Sequence, residues 1–210
     1  MSAVPAPALQ FAETYVAEDV VLQTARKLAH EFGLQAVPPG VGATLRLLAA
    51  AGQARAVVEI GTGTGVSGVW LLRGMREDGI LTTIDVENEY QRIARRIFLE
   101  AGFPPSRTRI ITGRAYDVLP RLADGAYDLV FVDAEATEYP TCVDAALRLL
   151  RSGGVLAMHG ALARGRIGDP AARDVDTVTV REVVKAIRDS DEWVPALLPT
   201  GDGLLVAVRR

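Results

Sequence analysis

Apolar positions along this chain follow two rhythms that take turns. Val20, Val21, Ala25 and Leu28 fall at helical spacing and predict a helix over residues 15–32, with Gly33 as its stop. Pro38 and Pro39 interrupt the chain. Leu45, Leu47 and Leu48 then give an apolar side to a second helix over 42–51, closed by Gly52. Here the rhythm changes. Val57, Val58 and Ile60 form a β-branched run over 56–60, of the kind that suits a strand buried on both faces. From there the predicted elements alternate: helix 67–75, strand 81–84, helix 87–101, strand 109–112, a short helix 116–122, strand 127–132, helix 139–150 and strand 155–158. Turn residues punctuate them, among them Asp78-Gly79, Gly102-Phe103-Pro104-Pro105, Asp124-Gly125 and Ser152-Gly153-Gly154. A Gly-, Arg- and Asp-rich stretch over 160–176 predicts a flexible loop, and a helix over 177–190 follows. Strands over 194–198 and 204–208, joined through Pro199-Thr200-Gly201-Asp202-Gly203, predict a closing hairpin. Pro5 and Pro7 among small residues predict a loose tail over 1–14.

Strand–helix alternation of this kind implies an α/β fold, a mostly parallel sheet with helices on both faces. Ligands of such sheets sit at the carboxyl ends of the strands. Glu59 and Gly61, Asp85, Gly113 and Ala115, Asp133 and His159 all fall at such ends. A chain of 210 residues is read as one domain over 15–210, with a helical cap over 15–52 and an α/β core over 53–210.

Composition narrows the classes of function. The formal net charge of −3 argues against a nucleic-acid binder, which would carry a basic excess. The single cysteine, Cys142, excludes an internal disulfide and a cysteine metal cluster, and it reads as a small helix residue rather than a nucleophile. Neither a secretory leader nor a membrane span is predicted, so the expectation is a cytoplasmic protein.

Candidate chemistry starts at Gly61-Thr62-Gly63-Thr64-Gly65, between the run over 56–60 and a helix. Glycines let the backbone take positive φ and approach a ligand closely. The helix start behind them offers free N–H groups and a positive dipole end to an anion. Glu59 is the odd member of its strand, since a buried carboxylate needs partners. Gly61-x-Gly63-x-Gly65 is one nucleotide-binding spacing, and Gly63-x-Gly65-x-x-Gly68 satisfies the dinucleotide pattern as well. Asp85, which ends the next strand, can accept hydrogen bonds from both hydroxyls of a ribose. S-adenosylmethionine and NAD would both use it, and the turn alone is also compatible with binding nothing.

Four segments occur in order: Val58-Glu59-Ile60-Gly61-Thr62-Gly63-Thr64-Gly65-Val66-Ser67, Leu81-Thr82-Thr83-Ile84-Asp85, Asp128-Leu129-Val130-Phe131-Val132-Asp133-Ala134 and Gly201-Asp202-Gly203-Leu204-Leu205. Together they resemble the small-molecule O-methyltransferases of the catechol and caffeoyl-CoA type, above all the bacterial branch, over about residues 20 to 210. The resemblance implies a class I methyltransferase-like Rossmann sheet, mostly parallel with a C-terminal antiparallel hairpin and an N-terminal helical extension. It implies S-adenosylmethionine as cofactor, a small-molecule acceptor and a homodimer. It places Gly61 and Gly65 at the methionine part of the cofactor, with Thr62 in the same turn. The Ser67 hydroxyl takes the carboxylate, Asp85 the ribose and Val86 the adenine face. Ala115 meets the adenine edge, Val37 packs over the cofactor, and Glu59 orients the turn or the amino group. The other reading of Ser67 is a simple helix cap.

The same resemblance implies a divalent cation, usually magnesium, held by the aspartate ending the fourth strand and by an aspartate–asparagine pair after the fifth. Asp133 matches the first position, but the pair is His159-Gly160 here, and an expected lysine is Ala136. Hard cations want several oxygen ligands, so these residues speak against the usual metal and predict none. Without a cation a general base must deprotonate a phenol, whose pKa is roughly 10. His159 takes that place by position, with Asp133 orienting it; the alternatives are that His159 only closes the pocket, or that it shares a borderline metal with Asp133. The acceptor itself is not readable from the sequence; its pocket is expected to be shaped by the segments around Val37, residues 136–139, the loop over 160–176, whose Arg164 and Arg166 can meet an acidic group, and the closing hairpin. Two other classes stay open: a cofactor-binding protein without catalysis, and an NAD-dependent oxidoreductase.

Overall fold

The computed structural model describes residues 5–210. Its centre is a sheet of seven strands: β1 (Ala56–Ile60), β2 (Ile80–Asp85), β3 (Thr108–Thr112), β4 (Tyr127–Val132), β5 (Leu150–His159), β6 (Trp193–Leu198) and β7 (Leu204–Arg209). The order across the sheet is β3-β2-β1-β4-β5-β7-β6. The first five strands run parallel, and β7 lies antiparallel between β5 and β6.

Period-two alternation sorts the strand residues onto two faces. Val57, Leu81, Leu129, Phe131 and Ala157 face one apolar layer, and Val58, Ile84, Val130, Val132, Leu156 and Met158 face the other. The first layer is covered by α2 (Val20–Glu31), α3 (Pro39–Ala51), α4 (Val66–Gly74) and α5 (Asn88–Glu100). The second is covered by α6 (Ala115–Val118), α7 (Tyr139–Leu149) and α8 (Val175–Asp189). α2 and α3 share one buried cluster with α4 and α5 through Leu22, Ala25, Val41 and Leu45, which builds them into the core layer. No helix among the described residues is long and apolar enough to cross a membrane.

Several elements depart from the sequence reading. In place of a loose tail over 1–14, residues Ala6–Glu13 form a helix, α1, with Pro7 in its first turn, where a missing N–H costs nothing. The part of that tail over 1–4 lies outside the described residues. Pro39 likewise opens α3 at its first position, so the proline pair starts a helix three residues before its predicted beginning. The helix expected from residue 15 begins at Val20, where the Asp19 side chain accepts a hydrogen bond from the Leu22 N–H and caps it. Ser152-Gly153-Gly154, expected as a helix stop, belongs to β5. There the register against β4 slips between Tyr127 and Leu129, and Gly153 absorbs the irregularity at φ +77°. Of the 160–176 segment, residues 160–174 form a chain of turns tied to the β6–β7 turn by main-chain bonds, Ala161 N–H to the Gly203 carbonyl and Leu162 N–H to that of Asp202, and α8 begins at Val175.

Helices α3 and α4 approach closely because each brings a glycine to the contact. A Cβ on Gly74 would overlap the main-chain oxygen of Arg46, and one on Gly42 would overlap the Trp70 ring. A main-chain oxygen cannot swing aside as a side chain can. Gly74→Ala is therefore expected to cost about 1–3 kcal/mol, the usual cost of overpacking. Urea unfolding checks it: the midpoint should fall with the slope unchanged.

Candidate active site

Parallel pairing brings the strand ends to one rim. The Gly61 N–H donates to the Ile84 carbonyl, the Asp133 N–H to Ile60 and the Gly113 N–H to Asp85, each at 2.9 Å. Gly61 sits at φ +97°, and a Cβ there would run into the main-chain oxygen of Asp133, so only glycine fits this turn. Gly65, at φ +92°, is the N-cap of α4, and no side chain caps that helix. Its first N–H groups, among them those of Val66 and Ser67, are left to an anion. Asp85 is held at the mouth of the turn: Oδ2 accepts from the Gly63 N–H at 2.9 Å and Oδ1 from the Glu87 N–H at 3.0 Å.

Glu59 lies fully buried beneath the turn. Oε2 accepts from the Thr83 hydroxyl at 2.6 Å, and Thr83 is 2.7 Å from the Thr62 hydroxyl, so a short relay links the carboxylate to the turn. Oε1 is buried without a partner. Burial pushes the carboxyl up to about 7 against the opposing pull of the Ser67 and Thr83 hydroxyls, and the charges of Asp133 and Asp85 add to the rise.

The other half of the site is built on β4, β5 and the β6–β7 turn. His159 Nδ1 is 3.1 Å from Asp133 Oδ1. Its Nε2 is buried and has no hydrogen-bond partner. The His159 carbonyl accepts from the Tyr139 hydroxyl at 2.8 Å. Burial works to lower the imidazole pKa, but the hydrogen bond and charge of Asp133, with Asp202 and Glu13 farther off, hold it above its ordinary value. Gly160 follows at φ +77°, and a Cβ on it would stand 2.8 Å from the Tyr139 hydroxyl.

A cavity of about 1510 Å³ joins both halves. It is lined by Val37, Gly61, Thr62, Ser67, Asp85, Val86, Ala115, Asp133 and His159 among the residues singled out from sequence. Two of that set do not line it: Glu59 lies below, and Gly65 packs where a Cβ would meet Ala94 and Phe98. Arg164 and Arg166 reach the wall as well. Thr83, Glu13 and Gly201 were missed as site residues. Thr83 stood inside a quoted motif, and the hairpin glycine had a turn signal. Glu13 had no local signal at all.

A strand-end rim with a glycine turn, an uncapped helix start, a ribose-height carboxylate and a closing antiparallel pair defines a class I methyltransferase site. The residues fit S-adenosylmethionine: the free N–H groups suit its carboxylate, Asp85 its ribose, and the main chain at Gly61 lies open on the cavity wall. Comparison with known proteins makes the assignment specific. A sequence model of the O-methyltransferase family matches residues 11–210. A Mycobacterium tuberculosis protein named as an O-methyltransferase is 55% identical over 198 residues, covering 94% of this chain and 88% of the relative. Among solved structures, a Corynebacterium glutamicum protein is similar at TM-score 0.90 and 37% identity, with 96% of this chain and 97% of that one covered. The O-methyltransferase TomG of Streptomyces achromogenes, involved in tomaymycin synthesis and solved with S-adenosylmethionine, is similar at TM-score 0.86 and 32% identity, with 96% and 94% covered. The chain belongs to the O-methyltransferase family; it is an enzyme that uses S-adenosylmethionine, which resolves the choice between that cofactor and NAD.

The donor set for a hard cation is thin. Asp133 faces the imidazole, Gly160 has no side chain, and no group of three or more His, Cys, Asp or Glu comes together among the described residues.

Glu59 yields a stability prediction. Its carboxyl rises from an ordinary 4.5 to about 7 on folding, so the native state binds a proton more tightly than the unfolded chain. The contribution is present in full below 4.5 and is lost as pH climbs to about 7. The stability difference between wild type and Glu59→Gln, measured by urea unfolding of ligand-free protein, should fall by about 3 kcal/mol across that window and stay flat above it.

Proposed function

We propose that this enzyme methylates a hydroxyl of a small phenolic molecule without help from a cation, and that the Asp133–His159 pair takes up the acceptor's proton. The observation that carries this reading is the 3.1 Å contact between the two side chains on the cavity wall. When bound, S-adenosylmethionine supplies an electrophilic methyl group on a sulfonium. The chain's own residues hold and orient: the uncapped start of α4 and Ser67 take the carboxylate end, and Asp85 takes the ribose. The turn at Gly61, beside Asp133, brings donor and acceptor into line. The acceptor oxygen forms its bond to the methyl carbon as the carbon–sulfur bond breaks, and its proton passes to the pair. A base near neutrality suits a phenol, at roughly 10, far better than an alkyl alcohol. The similarity to TomG supports a small acceptor. Exposed Phe11, Tyr15 and Leu47 on and beside the N-terminal helices support pairing of two copies.

The test is calorimetric titration with S-adenosylhomocysteine in chelator and in magnesium, followed by turnover of a phenol panel read as S-adenosylhomocysteine release. Binding and turnover are expected to be unaffected by chelator. His159→Ala and Asp133→Asn should each lower kcat by about 10²–10⁴-fold while leaving cofactor affinity intact. Because the imidazole is held above its ordinary 6.5, kcat should rise with pH through a limb above that value, and His159→Ala should erase the limb. Turnover abolished by chelator and restored by magnesium would overturn the reading.

A further inference from the structure

We propose that Glu13 is a positioning residue of the acceptor site: its carboxylate pins the β6–β7 turn onto the edge of the His159 ring, so that Nε2 is covered and the ring is held with Nδ1 on Asp133. This deepens the reading of the Asp133–His159 pair as proton acceptor and rests on it.

Helix α1 buries none of its side chains. Its last residue is what ties it to the body of the protein. Glu13 Oε1 accepts from the Gly40 N–H at 2.8 Å, in the first turn of α3, where an uncapped helix start favours a carboxylate. Glu13 Oε2 accepts from the Thr200 hydroxyl and from the Gly201 N–H, both at 3.1 Å. One carboxylate thus joins the N-terminal helix, the start of α3 and a turn 188 residues away in sequence. Both glycines are crowded: a Cβ on Gly40 would stand 2.5 Å from Glu13 Oε1. A Cβ on Gly201 would stand 3.0 Å from His159 Nε2, 2.9 Å from Val41 and 3.1 Å from Pro38.

The turn therefore lies directly on the ring. The turn, itself packed beside Pro38 and Val41, stands over Nε2, which is buried and has no partner. The other nitrogen faces Asp133. Asp133 is the more open of the two, its side chain 27% exposed against 14% for His159. The carboxylate is thus the face that meets an acceptor, and the ring behind it is fixed in one orientation by a contact that begins at Glu13.

The protein has two histidines, His30 and His159, and His30 is exposed on α2. Diethyl pyrocarbonate acylates accessible neutral imidazoles, and peptide mass spectrometry assigns each site. In the wild type His159 should react at least about tenfold more slowly than His30. Glu13→Ala should raise the His159 rate about tenfold, the effect of losing a charge-assisted hydrogen bond, with the His30 rate and S-adenosylhomocysteine affinity unchanged. Glu13→Gln, which keeps one acceptor oxygen, should fall between them. The ¹⁵N signals of the His159 ring give a second readout: Glu13→Ala should shift them toward those of a solvated imidazole exchanging between tautomers, which a helix lost without effect on the ring would not do. The proposal is overturned if His159 stays protected and its ring signals stay put in folded Glu13→Ala, or if it reacts as fast as His30 in the wild type. Failure of the wild type to bind S-adenosylhomocysteine would instead sink the methyltransferase reading and leave the protection result standing by itself.

Discussion

The pairing of β1 with β4 at the rim is the constraint on which the site depends. The Asp133 N–H closes onto the Ile60 carbonyl at 2.9 Å, and the turn after Ile60 passes so close to the Asp133 carbonyl that residue 61 has no room for a side chain. The glycine turn and Asp133 are therefore neighbours by main-chain geometry, before any side chain is considered. An in-line transfer needs that adjacency, because donor and acceptor must meet head-on with little freedom. The same pairing seats Glu59 under the turn, one residue before Ile60, where its relay through Thr83 reaches Thr62.

Negative charge is the common theme around that rim. Glu59 and His159 are both shifted upward, for related reasons. Burial and neighbouring carboxylates disfavour the charge on Glu59, and neighbouring carboxylates favour the charge on His159 in spite of burial.

Much of this was legible in the sequence, because the signals were local. Strand β4 follows from its β-branched and apolar run, the glycine turn from its spacing, and the convergence of Asp85, Asp133 and His159 from the rule that parallel strands share an open end. What escaped was non-local or carried by small residues. The prolines at 7 and 39 were read as breakers, yet proline at a helix start is favourable, and position relative to the cap decides which reading holds. The strand through Ser152-Gly153-Gly154 hid behind a turn signature, because a bulge uses the same residues as a helix stop. Glu13 could not be found at all: its partners are Gly40, Thr200 and Gly201, and no periodicity joins a tail carboxylate to a distant hairpin.

On the proposed reading, the loss of a cation and the recruitment of the chain ends belong to one solution. A bound cation orders its own ligands, because coordination fixes several donors at once. A carboxylate and an imidazole share a single contact, and the ring can still rotate about its side-chain bonds. Something else must then hold it. Tyr139 fixes the backbone at the His159 carbonyl, and the turn at Gly201 lies against the ring edge. The same tyrosine fills the space that a side chain at position 160 would need, since a Cβ there would stand 2.8 Å from its hydroxyl. A third metal ligand at that position and the Tyr139 contact compete for one volume. The glycine at 160 is thus the counterpart of a hydrogen bond that steadies His159, and not simply a ligand gone missing.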